Sequence, residues 1–433
     1  MESFERPHVA RLVRELTDES VPPLIVAVTG PRQSGKTTLV RQALRRLRGM
    51  GHRTRYIALD DPGQPRWSSL SGSDTTVALP PPPRDTEWLV SVWRQARRDA
   101  EAYRRGLVLV LDEIQHVKDW SSVVKGLWDA DRREDHPLKV VVLGSAAWRL
   151  LTGMGDSLAG RFMSFPVRHW SLREMVEAFD VSLDEYVFFG GYPGAIRYAE
   201  DLRAWRSCVA HSIIAPTIDR DILDLTRVDR PSAMCQLVDM APEYSGQVVT
   251  YEHLAGRLRS GGSPTTLAHY LDLLSDAGIM TRLSKYAGSA VRRAASNPKL
   301  LVLNPGLMTA LSGYSFDEAR NDRTFWGRIV ETAVGAHLHN TLEAAMHLAY
   351  WRDDPHEVDF VLFQGPRVLG VEVKSGRQRR ALPGLAAFKK RFPKAETLLV
   401  GGRSGVRTNQ VPLNEFLAEP ASHWLSGKGW GPA

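Results

Sequence analysis

The stretch at residues 28–40, VTGPRQSGKTTLV, limits the fold more than any other part of the chain. An apolar run, PPLIVAVTG, reads as a strand and breaks into a loop bounded by Gly30 and Gly35, after which Lys36, Thr37 and Thr38 open a helical apolar pattern. Gly30, Pro31, Arg32, Gln33, Ser34, Gly35, Lys36 and Thr37 have the spacing of a phosphate-binding loop. Glycines let backbone N–H groups wrap phosphate oxygens, and a helix N-terminus adds positive potential. On this reading Lys36 reaches the terminal phosphates and Thr37 supplies an oxygen to Mg²⁺, so ATP and Mg²⁺ are the expected ligands. A glycine turn that happens to precede Lys-Thr is the alternative, and the strand before and helix after it argue against that.

A chain of 433 residues exceeds one typical core and predicts several domains. No apolar run approaches the ~18 residues of a membrane span, and the start, MESFERPHVARLVREL, mixes acids and bases, so a cytoplasmic protein with no membrane partner is expected. Cys208 and Cys235 are too few for a disulfide framework or a four-thiolate metal site. The net charge of +7, from 56 basic and 49 acidic residues, leans towards a polyanionic partner without defining it.

Further strands are expected at RTRYIALDD, GLVLVLDEI, LKVVVLGSA and FMSFPV, with a helix over EWLVSVWRQARRDAEAYRRG. Their alternation predicts an α/β fold with a parallel sheet. From residue 251 the order helix, glycine turn, helix, strand fits a winged helix-turn-helix, with Ser263 capping a helix that has Pro264 at its first position. The last region reads as a helix containing Glu331, strands at EVDFVLF and VLGVEVKSG, then a helix and another strand.

At the end of LVLVLDEIQ, Asp112 is placed to enter a Mg²⁺ shell and Glu113 to activate or orient attacking water, so the leading activity is ATP hydrolysis. The order GPRQSGKTT, LDEIQHVKDW, VVLGSA, SLAGR and GGYP resembles that of bacterial and archaeal AAA-type ATPases whose C-terminal half carries a winged helix and a PD-(D/E)XK nuclease-like domain. The resemblance spans nearly the whole chain. It implies an ATPase core at 1–170, a helical lid or connector at 171–230, a winged helix at 231–295 and an α/β nuclease-like domain at 296–433.

The resemblance also makes Ser145 a polar sensor and Arg161 an arginine finger, supplied to a neighbouring subunit. A surface ion pair of Arg161 with Asp156 or Glu174 is the other reading. In the winged helix, Thr265, Thr266 and His269 face DNA, with Arg257 and Arg259 on phosphates and Arg282, Lys285, Arg292 and Arg293 adding charge; packing or oligomerisation is the alternative use. Alternation puts Glu372 and Lys374 on one strand face, and with Asp359 and Glu331 they make the residue set of a Mg²⁺-dependent nuclease. One departure from the family is Asn304 in PKLLVLNPGL, where an aspartate is usual.

These readings together predict a homo-oligomeric ATPase, with a hexameric ring or open spiral as the natural arrangement, remodelling or migrating branched DNA in recombination or repair with little sequence preference. An ATP-controlled binding switch in signalling or defence and an ATP-gated nuclease are the alternatives.

Overall fold

A computed structural model of the chain describes residues 4–20, 24–60, 84–103, 105–144, 158, 160–223, 228–259, 262–288, 297–376, 382–402 and 409–427. The chain divides into two compact units, Met1–Val167 and Arg168–Ala433. Among the described residues, no helix is long and apolar enough to cross a membrane.

The first unit is built on strands β1 (Ile25–Thr29), β2 (Arg53–Ala58), β3 (Leu107–Asp112), β4 (Leu138–Leu143) and β5 (Phe162–Pro166). They form one parallel sheet in the order β2-β3-β4-β1-β5. Helices α1 (Pro7–Thr17) and α2 (Lys36–Gly49) supply the apolar cover of one face, α3 (Thr86–Glu101) and α4 (Trp120–Arg133) that of the other. Strand alternation sorts the core accordingly. Ala27, Leu109, Leu111 and Val142 pack with Leu89, Trp93 and Val124, whereas Val26, Val28, Val110 and Val141 pack with Leu12, Leu39 and Leu44. Because both faces are covered, the central strands read as unbroken apolar runs instead of alternating ones. The segment FMSFPV joins as β5, on the open side of β1.

In the second unit, α5 (Pro231–Asp239), α6 (Tyr251–Arg257) and α7 (Pro264–Asp276) lead into β6 (Met280–Leu283), which pairs antiparallel with β7 (Lys299–Val302). Ser263 caps α7 by accepting from the backbone N–H of Thr266, and Leu267, Leu271 and Leu274 of α7 are fully buried. After α8 (Pro305–Ser312) and α9 (Arg323–Asn340) comes a second sheet of β8 (His347–Asp353), β9 (His356–Gln364), β10 (Arg367–Lys374), β11 (Glu396–Gly401) and β12 (Gln410–Val411), with α10 (Pro383–Arg391) between β10 and β11. Its order is β12-β11-β10-β9-β8; β8, β9 and β10 are antiparallel neighbours, while β10, β11 and β12 run parallel. Helix α9 approaches β9 closely at Gly335, where a Cβ would stand 2.5 Å from Phe360 Cζ.

Candidate functional site

The phosphate-binding loop joins β1 to α2. Gly30 has φ +153°, and a Cβ there would lie 2.0 Å from the Val167 carbonyl oxygen, so only glycine fits. Gly35, at φ +85°, caps α2 in the left-handed region and leaves the first N–H groups of the helix directed at the loop. Lys36 is buried, and its Nζ donates to the carbonyls of Gly30 and Pro31, each at 2.9 Å. From outside the loop, Arg6, only 4% exposed, donates through Nη1 to the Ser34 carbonyl at 2.9 Å.

Asp112 ends β3 and is buried. Its Oδ2 accepts from Thr37 Oγ1 at 3.0 Å and from the Tyr56 hydroxyl, and its Oδ1 accepts from the Glu113 N–H at 3.0 Å. Burial, reinforced by the hydrogen bond to Asp112, pushes the Tyr56 phenol up, so it remains a donor. Glu113 follows with φ +54°, a conformation that costs a non-glycine residue of order 1–2 kcal/mol, and its carboxylate accepts from Gln115 Nε2. Lys36, Thr37, Asp112 and Glu113 therefore stand together at the carboxyl ends of the strands. The donor set suits Mg²⁺: one hydroxyl and one carboxylate already within hydrogen-bond distance of each other, both hard oxygens.

Arg161 lies elsewhere. Its carbonyl accepts from the Ile25 N–H at 2.9 Å, where β1 and β5 begin, whereas the loop follows the end of β1, roughly 13 Å along the strand. Its guanidinium grips Asp129 with Nε at 2.7 Å and Nη2 at 3.2 Å. Ser145 lies outside the described residues, as do Asp156, Arg292 and Arg293.

On α7, Thr265 and His269 are exposed and Thr266 half-buried. Arg257 is exposed and pairs with Glu243 at 2.7 Å and the Tyr244 hydroxyl at 3.0 Å. Arg259 is also exposed; its backbone N–H donates to Gln236. Arg282 makes two 2.9 Å bonds to Asp272.

The C-terminal carboxylates converge, but around ammonium groups. Lys299, which opens β7 and is 1% exposed, has its Nζ 2.8 Å from Glu331 Oε1, 3.2 Å from Glu357 Oε1 and 3.8 Å from Asp359 Oδ1. Burial alone would pull this lysine down; Glu331, Asp359 and Glu357 outweigh it and push it up, so it is an ammonium. Asp359 Oδ2 accepts from the Val373 N–H at 2.7 Å, and Glu372 Oε1 accepts from Lys374 Nζ at 2.6 Å. Burial, then the neighbouring Asp359, pushes Glu372 up to about 7. This geometry does not fit the expected Mg²⁺: among the described residues no group of three or more His, Cys, Asp or Glu could hold a metal ion. Lys299 and Glu357 were not singled out in the sequence; the signal was a lysine at the head of the apolar run KLLVL.

Asn304 settles into a network of its own. Its Oδ1 accepts from the Gly191 and Gly306 N–H groups, each at 3.2 Å, which fixes the amide so that Nδ2 donates to His169 Nδ1 at 3.2 Å. His169 Nε2 in turn donates to the Gly278 carbonyl at 2.8 Å. An aspartate in this position would lack the amide donor.

The sheet order, the loop and the Thr37–Asp112 pair are those of a P-loop nucleotide-binding core, and residues 23–176 match the family described as an AAA domain. The N-terminal unit is thus an AAA-type ATPase domain. Residues 180–318 and 326–416 match the domains of unknown function DUF8612 and DUF4143. Among curated proteins, the uncharacterized proteins Rv2008c of Mycobacterium tuberculosis and Mb2031c of Mycobacterium bovis are each 29% identical over 374 residues, covering 85% of this chain and 73% of theirs. Among solved structures, AMPPCP-bound DnaA from Aquifex aeolicus is 14% identical with a TM-score of 0.32, covering 64% of this chain and 90% of its own. A Thermotoga maritima RuvB variant is 17% identical with a TM-score of 0.31, covering 63% and 87%.

Proposed function

We propose that this chain is an ATP-hydrolysing AAA-type protein that works as a homo-oligomer on DNA, coupling nucleotide turnover to remodelling of branched duplexes. The observation that carries it is the meeting of Lys36, Thr37, Asp112 and Glu113 at one end of the first sheet. Backbone N–H groups of the loop and Lys36 bind the phosphates. Thr37 and Asp112 are the residues that would hold Mg²⁺, which when bound withdraws charge from the phosphate oxygens. Glu113 takes the proton of the attacking water as its oxygen bonds to the γ-phosphorus, and the bond to the bridging oxygen breaks to release ADP and phosphate. Ser145 would sense the γ-phosphate. Arg161, at the far end of its own sheet from the loop, serves a neighbouring subunit, which makes turnover depend on assembly.

Purified Lys36→Ala should lose ATP binding, and Glu113→Gln should bind ATP without turning it over. Unchanged turnover in both would remove the site.

A second reading is a nucleotide-controlled binding switch, and it is favoured by the pairing of Arg257 with Glu243 and Arg282 with Asp272, which neutralises basic groups assigned to DNA. The DNA reading expects turnover stimulated by forks or four-way junctions and affinity that falls steeply with salt. Slow turnover indifferent to every DNA structure would instead support the switch.

A further inference from the structure

The residue types at the C-terminal site are those of a divalent-metal centre, yet a side chain of the chain itself fills its middle. Glu331 comes from α9, Glu357 and Asp359 from β9, and Lys299 reaches them from β7, the strand paired with β6. The ammonium also lies 3.3 Å from the Asp359 carbonyl and 5.3 Å from the Phe360 ring centre, so it is enclosed by acceptors and an aromatic face. Mg²⁺ needs oxygens at about 2.0–2.1 Å in near-octahedral array. Glu331 Oε1 and Asp359 Oδ1 already face Lys299 Nζ, at 2.8 and 3.8 Å, so the ammonium stands between the carboxylates such an ion would need. The second oxygen of Asp359 is held by a backbone N–H, and one oxygen of Glu372 by Lys374. Glu372 Oε2 is buried with no hydrogen-bond partner among the described residues, yet no group of three or more His, Cys, Asp or Glu among them could hold a metal ion.

We propose that Lys299 is the resident cation of this carboxylate cluster, standing where a divalent ion would bind, so that the C-terminal site is a metal-independent ionic junction fastening β7 to α9 and β9. Removing the ammonium releases a divalent-binding site from the same carboxylates. The inference does not depend on the nucleotide reading above, because it concerns separate residues and is read by ion binding alone.

The test is Mn²⁺ titration of the full chain, followed by the paramagnetic signal of free ion, in wild type, Asp359→Asn, Glu372→Gln, Lys299→Met and Lys299→Met with Asp359→Asn. Comparing variants cancels any ion held by the N-terminal unit. The first three proteins should bind Mn²⁺ alike. Lys299→Met should gain one site at least tenfold tighter than anything the C-terminal carboxylates offer in wild type, and adding Asp359→Asn should abolish it. A site in wild type that Asp359→Asn or Glu372→Gln removes would overturn the proposal, as would folded Lys299→Met with no gained site. If Lys299→Met does not fold, the first three proteins decide the matter by themselves.

Discussion

Thr37 Oγ1 donates to Asp112 Oδ2 across 3.0 Å, tying the first turn of α2 to the last residue of β3. Thr37→Val keeps the shape and removes the hydroxyl. In the presence of Mg²⁺ its affinity for a fluorescent ATP analogue should fall about tenfold or more, the worth of one charge-assisted contact. In EDTA the variant and wild type should bind alike; an equal loss in both conditions would mean that the hydroxyl supports the loop rather than the ion.

Arg161 holds Asp129 in two hydrogen bonds, so the finger assignment separates from a merely structural one. Arg161→Ala should retain nucleotide and lose turnover by roughly 10³-fold, whereas Asp129→Ala should stay within a few-fold of wild type. Mixing Arg161→Ala with Glu113→Gln protein should restore part of the activity, since each supplies what the other lacks. Parallel losses in Arg161→Ala and Asp129→Ala, with no complementation, would reduce the pair to a scaffold.

His337 in α9 gives the fold an acid limit. It is buried, Nε2 meets the Glu419 carbonyl at 2.7 Å, and Nδ1 has no hydrogen-bond partner among the described residues. Burial lowers its pKa from 6.5 to about 4. The unfolded chain therefore binds the extra proton more readily throughout that window, so stability is lost as pH falls from about 6.5 to about 4, by up to about 3 kcal/mol. Denaturant midpoints measured across this range should flatten in His337→Gln relative to wild type.

Asn304→Asp tests the network around His169. The carboxylate keeps the two backbone donors but faces His169 Nδ1 with a second acceptor. Stability should fall by roughly 1–3 kcal/mol, because two buried acceptors would then face each other. A denaturant midpoint unchanged from wild type would exclude that cause.

The residues legible in the sequence are those whose partners are fixed by local geometry. Gly30, Gly35 and Lys36 follow from the loop alone, and Asp112 from the end of an unbroken apolar run, because a strand, a tight turn and a helix start leave one arrangement open. Ser263 was likewise readable as a cap. Lys299, Tyr56, Arg6 and Asp129 were not, since each meets its partner across a long stretch of chain: Tyr56 reaches Asp112, Arg6 the Ser34 carbonyl, Asp129 the Arg161 guanidinium and Lys299 carboxylates of α9 and β9. The C-terminal motif shows the same limit from the other side. Glu372 and Lys374 were correctly placed two apart on a strand, but nothing in VEVKSG announces that another lysine occupies the neighbouring carboxylates.

The two carbonyls that receive Lys36, those of Gly30 and Pro31, bear on how the protein behaves between turnovers. An ammonium met by its own loop's carbonyls leaves no stranded buried charge when product departs. Nucleotide arrival then exchanges one set of acceptors for another, the carbonyls of Gly30 and Pro31 for phosphate oxygens.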